Sequence, residues 1–225
     1  MHEPVLLHEV IACLDLHEGQ FVIDGTINGG GHAKVMLEKI GAKGKLLGID
    51  LDKTLVMRLG EDLKSDTRIT VAHGSYDEIP ELLERLHLPK ADRVLLDLGF
   101  SSFHVDEAKR GFSFRESEPL LMTYDENATP LSEILPLLRE EEMAHIIADY
   151  GEERYAKRIA HAIYSAERHA RLATTRELAE VVWGAVPTPY RRGRIHPATR
   201  TFQAFRIYAN HELEHLERFI SRLGE

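Results

Sequence analysis

Between residues 21 and 98, short apolar runs alternate with longer amphipathic segments of helical periodicity. Near-continuous apolar runs are typical of strands buried on both faces of a parallel sheet, and gaps of roughly 20 to 25 residues leave room for a crossover helix. The predicted strands are FVID (21–24), LLGID (46–50), ITVAH (69–73) and RVLLDL (93–98). This pattern predicts an α/β fold with a mostly parallel sheet.

Beyond this region the pattern is mainly helical. Residues 105–130 are polar with little periodicity, which indicates a long structured loop. Apolar positions then recur at helical spacing, and Thr174 with Glu177 matches a capping box at a helix start. The predicted helices are 131–148, 152–169, 174–184 and 199–222.

The segment DGTINGGGH joins the end of the first predicted strand to a helix. Glycines at this place let the backbone approach a ligand closely, and the helix that follows offers free amide groups. The glycines stand at positions 25, 29, 30 and 31, so the dinucleotide spacing G-x-G-x-x-G is absent and a nicotinamide-dependent oxidoreductase is disfavoured. A tight turn without a ligand explains the glycines equally well.

Three predicted strands end in aspartates, namely Asp24, Asp50 and Asp97. Asp50 is placed to accept hydrogen bonds from two ribose hydroxyls, although it could instead cap the helix that starts near Lys53. Because parallel strands end at one edge of the sheet, these acids favour a cationic ligand there. Glycine loop and acids together predict an adenosine pocket, and S-adenosylmethionine is an adenosine that carries a sulfonium.

The formal net charge is -9, but the charge is unevenly distributed. Residues 154–206 contain eleven Lys and Arg against three acids, so the rest of the chain carries about -17. Screening limits charge effects to roughly 8 Å at physiological salt, and a local basic surface can therefore bind phosphates. The alternative is that these side chains only solvate exposed helix faces.

The single cysteine, Cys13, excludes an intrachain disulfide and a thiol cluster for zinc, and it indicates a reducing compartment. We expect Cys13 to be buried in the core. No run approaches the roughly 20 apolar residues that a membrane span requires. Together these features predict a cytoplasmic protein with no membrane partner and no metal.

Nine sequence strings, in this order, resemble the bacterial 16S ribosomal RNA cytosine-N4 methyltransferase family. They are PVLLHEV, DGTINGGGH, GIDLD, HGSY, LLDLGFSS, RGFSF, YGEERYAKRIAHAI, TTRELAEVV and HPATRTFQAFRI. The resemblance implies a Rossmann-like domain over 1–104 that binds S-adenosylmethionine and a mainly helical insertion over 105–206 that grips 16S rRNA of the small ribosomal subunit. A C-terminal helix over 207–225 would return to the sheet.

The resemblance also implies roles for particular residues. The cofactor contacts would be Gly30, Gly31, His32, Asp50, Tyr76, Asp97 and His104. His32 could instead cap a helix, and Tyr76 could serve packing alone. The predicted RNA contacts are Arg191, Arg192, Arg194 and Arg200, whereas Arg206 could serve packing.

Methyl transfer from a sulfonium to the N4 amine of cytosine depends mainly on positioning, because the donor is already reactive. An acceptor close to the amine would take up positive charge as it develops. Asp97 and Ser101, in the segment DLGFSS, are the predicted catalytic residues, with turn formation as the alternative for Ser101. The target base must also be unstacked to reach the site.

The chain departs from the family pattern at two places. Residues 101–104 read Ser-Ser-Phe-His where the family has Ser-Ser-Pro-Gln, and Leu121 and Thr123 replace an acid and a base. These changes leave open a degenerate relative that binds RNA or the small subunit without methylating.

The family also continues beyond the last helix into further strands, whereas this chain ends at Gly224 and Glu225. An unpaired strand edge is prone to pair with another chain. We therefore expect the C-terminal strands to be missing, and a homodimer or a strand-donating partner to cover the edge.

Overall fold

A computed structural model describes residues 4–99 and 109–224. The chain divides into two compact units, a sheet unit and a helical unit. The sheet unit lies within Met1–Phe103 together with Glu214–Glu225, and the helical unit lies within His104–Leu213. Ser101 and His104 fall outside the described residues, so the predictions made for them are not addressed by the structure.

The sheet unit contains a parallel four-stranded sheet with the strand order β3-β2-β1-β4. The strands are β1 (Phe21–Asp24), β2 (Lys45–Asp50), β3 (Ile69–His73) and β4 (Arg93–Leu95). Asp24 pairs with Gly48 of β2 on one side and with Leu95 of β4 on the other. Because every pairing is parallel, the carboxyl ends of the strands lie at one edge, and the predicted α/β fold is confirmed.

Helices cover both faces of this sheet. They are α1 (Leu7–Leu14), α2 (Gly31–Ile40), α3 (Lys53–Leu63) and α4 (Ile79–Arg85). Successive side chains of a strand point to opposite faces, so Val22 packs in a cluster with Met36 of α2, and Ile23 packs in a second cluster with Leu82 of α4. Burial on both faces explains the near-continuous apolar runs.

The helical unit buries its own core. Its helices are α5 (Leu131–Ile134), α6 (Glu140–Asp149), α7 (Ala156–His169), α8 (Thr175–Ala185), α9 (Thr188–Arg191) and α10 (Ala198–Ala209). Ile159, Leu178 and Phe205 are fully buried in one cluster. The capping box of Thr174 and Glu177 is confirmed at the start of α8.

Two long predicted helices are wrong, because each is interrupted. The 131–148 prediction breaks around Pro136, which has no amide hydrogen for helix bonding, and α6 restarts after extended Arg139. The 199–222 prediction breaks where His211 takes a left-handed φ of 50° after Asn210. The Asn210 side chain accepts from the Tyr124 amide and donates to the Met122 carbonyl, each at 2.8 Å. The last helix, α11 (Glu212–Ser221), is therefore separate.

The outermost strand and the first helix also differ from expectation. The strand predicted over 93–98 ends at Leu95, because its partner β1 stops at Asp24 and the Gly25 amide makes the last bond to the Leu95 carbonyl at 2.9 Å. The residues of β4 are only partly buried, whereas those of β1 are all buried.

Cys13 is exposed and not in the core, because α1 is a surface helix without a buried residue. Within residues 4–99 and 109–224, none of the helices has the length and apolar character to span a membrane.

Candidate functional site

The chain turns sharply after β1, and close contacts there require glycine. A Cβ atom at position 25 would lie 2.5 Å from Leu96 Cδ2 and 3.0 Å from Tyr76 Cβ. Gly30 has a left-handed φ of 73°, and its amide donates to the Ile27 carbonyl at 2.8 Å. A turn with little side-chain bulk is thereby held against the carboxyl edge of the sheet, where α2 begins.

Asp50, at the end of β2, connects two loops. Its Oδ2 accepts from the Asn28 amide and its Oδ1 from the Asp52 amide, both at 3.0 Å. The helix cap is Asp52, whose Oδ1 accepts from the Thr54 and Leu55 amides, so the alternative role of Asp50 as the cap of α3 is wrong. A carboxylate offers about four acceptor positions, and Asp50 can therefore hold its loops and also accept ligand hydroxyls.

Asp24 is the most deeply buried acid of this edge, with 1% of its surface exposed. Its Oδ1 accepts from the Thr26 amide at 3.3 Å. Burial, together with the charges of Asp50 and Asp97, raises the pKa of Asp24 to about 7 despite that hydrogen bond. Asp50 and Asp97 therefore both lie within electrostatic range of Asp24, and a cation bound near Asp24 would favour its ionised form.

Asp97 follows β4 and faces α2. Its amide donates to Thr26 Oγ1 at 2.6 Å, and its carboxylate Oδ2 lies 3.7 Å from His32 Nδ1. The His32 ring is buried, with Nε2 3.2 Å from the Val5 carbonyl oxygen. Gly30 is the N-cap of α2 and has no side chain to cap it, and the His32 ring binds Val5 and Asp97 instead, so the capping alternative for His32 is wrong. The Asp97 carboxylate itself is 38% exposed, which leaves it accessible to a ligand.

Tyr76 lies beside the glycine turn but is mostly buried. Its ring meets Phe219 edge to face, with 5.9 Å between ring centroids, and lies 6.3 Å from the His215 ring. Packing therefore accounts for the aromatic side chain at this position. The contact with adenine stays a prediction.

Sequence reasoning overlooked Thr26 and Asn28. Thr26 links Asp24 to Asp97 through its amide and hydroxyl groups, and the Asn28 side chain donates to the Thr26 carbonyl at 3.0 Å. Asn28 also takes a left-handed φ of 46°, which asparagine tolerates better than most residues. Both lie inside the glycine segment, so a search for side chains that join neighbouring strand ends would have found them.

The predicted RNA-binding arginines of the helical unit fall into two groups. Arg192 and Arg194 are exposed. Arg191 donates to the Val186 and Gly184 carbonyls, each at 3.1 Å, and Arg200 donates to the Glu152 carbonyl at 2.5 Å. Arg191 and Arg200 thus satisfy backbone oxygens of the helical unit.

Arg206 makes a two-point ion pair with Glu212, with nitrogen to oxygen distances of 2.8 and 3.0 Å. Both side chains are largely buried. Arg206 therefore serves packing, which is the alternative to RNA binding given above for this residue.

A basic cavity of about 490 Å³ joins some of these side chains. Arg154, Arg194 and Arg200 line it together with Tyr190, and the Arg154 guanidinium lies 4.6 Å from the centroid of the Tyr190 ring. The Tyr190 hydroxyl donates to the buried Glu153 carboxylate at 2.5 Å, which fixes the ring. Three guanidinium groups around one cavity favour an anionic ligand such as a phosphate.

Residues 1–224 match the MraW methylase family. The chain belongs to that family.

Relatives agree with this assignment. Ribosomal RNA small subunit methyltransferase H of Syntrophotalea carbinolica is 43% identical over 223 residues, which cover 98% of this chain and 71% of the relative. The protein of the same name from Nitrosomonas europaea is 43% identical over 218 residues, covering 96% and 68%. A solved S-adenosylmethionine-dependent methyltransferase from Aquifex aeolicus aligns with 46% of this chain and 53% of its own at 21% identity, with a TM-score of 0.34, and this slight likeness does not bear on function.

In this member of the MraW methylase family, Leu121 and Thr123 lie in a segment that is held by hydrogen bonds within the helical unit. The Thr123 carbonyl accepts from Arg110 Nε at 2.7 Å, and its hydroxyl lies 3.2 Å from Arg110 Nη2. The Leu121 carbonyl accepts from the Leu131 amide at 2.8 Å. The Thr123 side chain therefore has a structural partner, whereas nothing in the structure explains the leucine at position 121.

Proposed function

We propose that this chain is a ribosomal RNA methyltransferase that uses S-adenosylmethionine to methylate the exocyclic N4 amine of a cytosine in 16S rRNA of the small ribosomal subunit. The observation that carries the proposal is the meeting of Asp24, Asp50 and Asp97 beside a glycine turn at the carboxyl edge of the sheet, in a member of a methylase family. The cofactor, when bound, supplies a methyl group on a positively charged sulfur.

The residues of the sheet unit fit this cofactor. The Asp50 carboxylate accepts hydrogen bonds from the ribose hydroxyls, and the backbone at Gly30 and Gly31 allows close approach. Asp24 and Asp97 supply negative charge to the sulfonium. His32 and Tyr76 border the same turn, and a contact from His104, which falls outside the described residues, stays a prediction.

Asp97 is the proposed catalytic residue of the described part of the chain. Its carboxylate accepts a hydrogen bond from the cytosine amine, which holds the nitrogen in line with the methyl group and stabilises positive charge as it develops. The partial exposure of Asp97 suits this role, since the base must reach it from solvent. Ser101 is proposed as a second acceptor.

The helical unit binds the RNA in this proposal. Arg192 and Arg194 are exposed and contact phosphates directly, and Arg194 shares its cavity with Arg154 and Arg200. Phosphate contacts of this kind position an RNA without reading its sequence. Arg191 and Arg200 support the same surface while they also bind backbone carbonyls.

The decisive experiment is transfer of a deuterated methyl group from S-adenosylmethionine to unmodified small ribosomal subunits, followed by mass spectrometry of the nucleosides. We expect labelled N4-methylcytidine with the wild type and a strong reduction with Asp97→Asn. A label on another nucleoside would contradict the cytosine-N4 assignment. Cofactor and RNA binding without any transfer would instead favour a degenerate relative that only binds RNA or the small subunit.

A further inference from the structure

A groove of about 410 Å³ lies on the helical unit, apart from the basic cavity described above. It is lined by Phe114, Arg176, Ala179, Glu180, Trp183 and His196. The volume is within the range of roughly 300–1,000 Å³ that is usual for small-molecule sites. Aromatic and charged side chains therefore line the same groove.

Aromatic contacts hold one wall of the groove in place. The His196 ring lies 5.2 Å from the Trp183 ring at an interplanar angle of 24°, and 4.7 Å from the Phe114 ring at 36°. Phe114 in turn packs against buried Phe202, with 4.8 Å between ring centroids. Trp183 nevertheless remains 40% exposed. A large aromatic ring that is fixed by packing and still reaches solvent is suited to stacking, because little side-chain entropy is lost when a second ring covers it.

The His196 ring adds no positive charge to this wall. Its Nδ1 accepts from the Ala198 amide at 3.2 Å, so the proton of the neutral ring is on Nε2. Burial lowers the pKa of His196, which keeps the ring neutral at pH 7. The wall is therefore flat and apolar at its centre.

Charged groups surround this wall. The Arg191 guanidinium carbon lies 5.7 Å from the Trp183 ring centroid, and Arg176 is exposed seven residues before Trp183, two turns earlier on α8. Glu180 also lines the groove, and its carboxylate disfavours a phosphate there. A carboxylate can instead accept from the amino group of a base, while arginines bind the adjacent phosphates.

We propose that this groove binds an unpaired base of RNA, which stacks on the exposed part of the Trp183 ring. The choice of RNA as the ligand rests on the proposed function. Glu180 accepts a hydrogen bond from an amino group on the edge of the base, and Arg176 binds the neighbouring phosphate. Only an unpaired base presents both its face and its edge in this way.

Trp183 is the only tryptophan in the chain, so its fluorescence reports on this groove directly. The test is titration of the full chain with a single-stranded cytidine octanucleotide and, separately, with a blunt-ended, fully paired duplex formed by a self-complementary RNA octanucleotide. We expect saturable quenching by the single strand and little quenching by the duplex. Absence of quenching by a single strand that binds, as judged by anisotropy of a labelled octanucleotide, would overturn the proposal.

Variants separate stacking from general loss of structure. Stacking contributes roughly 1–3 kcal/mol per base, so Trp183→Ala should weaken octanucleotide binding about 5- to 150-fold, and Trp183→Phe should weaken it less. The matched control is Tyr164→Ala on α7, which also has an arginine over its ring, Arg168 at 5.7 Å, but lies outside the groove. Equal effects of Trp183→Ala and Tyr164→Ala, with melting temperatures near that of the wild type, would contradict a base site at Trp183.

Cofactor binding distinguishes failure of this inference from failure of the proposed function. We expect Trp183→Ala to bind S-adenosylmethionine with wild-type affinity in calorimetry. If the wild type binds the cofactor and methylates RNA but the groove variant binds the octanucleotide normally, only the groove assignment is wrong. If the wild type binds no cofactor, the proposed function is wrong, while quenching by the single strand still decides the groove.

Discussion

At the scale of single residues, Asp24 shows what burial does to a carboxylate. It lies in the interior of the sheet unit with one amide donor and two acidic neighbours, and its pKa of about 7 is well above the ordinary value of 3.8. The folded state therefore binds this proton more tightly than the unfolded chain does. As a result, the contribution of Asp24 to stability falls as the pH rises from about 4 to about 7, and stays constant above that.

We predict that Asp24→Asn removes this pH dependence. The asparagine oxygen can still accept from the Thr26 amide, but no charge is buried, so the variant should gain stability over the wild type as the pH rises, by up to about 4 kcal/mol at pH 8. Urea unfolding at pH 4.5, 6 and 8 measures the difference. Asp62→Asn, at an exposed position of α3, is the control and should differ from the wild type by a constant amount. A constant difference for Asp24→Asn as well would mean that Asp24 is ionised across this range.

A second prediction compares Asp50 with Asp52, two buried acids in neighbouring positions. Asp50→Asn removes a charge and turns an amide NH₂ group towards a backbone N–H group, so it should weaken S-adenosylmethionine binding tenfold or more, or about 1.4 kcal/mol. Asp52→Asn should keep the cap of α3, because asparagine is an equally good N-cap, and should change the affinity little. Isothermal titration calorimetry measures both, and equal losses would argue against the ribose role of Asp50.

At the scale of elements, Gly151 shows how one residue controls the approach of two helices. It lies between α6 and α7, and a Cβ atom there would meet the Arg200 carbonyl oxygen at 2.5 Å and the Ile147 carbonyl oxygen at 2.8 Å. Both atoms belong to helix backbones, on α10 and α6, and cannot move aside as a flexible side chain would. The glycine of the string YGEER is therefore required by helix packing.

We predict opposite effects for two glycine substitutions in the helical unit. Gly151→Ala should destabilise the protein by roughly 1–3 kcal/mol, because the helices must separate. Gly184→Ala, inside α8 with no atom within 4 Å of the added Cβ, should stabilise it by about 0.5–1 kcal/mol through helix propensity. Thermal and urea unfolding measure both changes. A neutral Gly151→Ala variant would show that the junction has room for a methyl group.

At the scale of the whole molecule, β4 lies at one edge of the sheet. Within the described residues β4 pairs only with β1, and its three residues are partly exposed. An edge strand carries backbone groups that can pair with another chain. We propose that a second copy of this chain or a strand-donating partner covers this edge.

We predict that the isolated protein self-associates at micromolar concentration through this edge. Light scattering coupled to size-exclusion chromatography measures the mass, and Val94→Pro, which removes an amide donor in β4, should reduce the association. The control is Leu137→Ser, at a side chain that is 79% exposed, and it should leave the mass unchanged. A cooperatively melting monomer at all concentrations would contradict self-association, and would leave a separate strand donor as the remaining form of the proposal.

Sequence alone was sufficient for features that depend on neighbouring positions in the chain. The presence of four strands, the glycine turn, the acids that end β1 and β2 and the capping box at Thr174 were predicted, because strand periodicity and capping are local, whereas β4 is shorter than predicted and ends before Asp97. Family resemblance added a methylase assignment that the comparison confirms. The helix breaks at Pro136 and Asn210 were missed, since apolar periodicity continues on both sides of each break.

Tertiary structure decided which side chains meet across long stretches of sequence. Asn210 binds the backbone at Met122 and Tyr124, the Tyr190 hydroxyl donates to Glu153, and the rings of Phe114, Trp183 and His196 come together from separate segments. Periodicity shows which face of an element is buried, but the partner on that face depends on how elements pack. The high pKa of Asp24 has the same origin, because desolvation comes from the complete core around it.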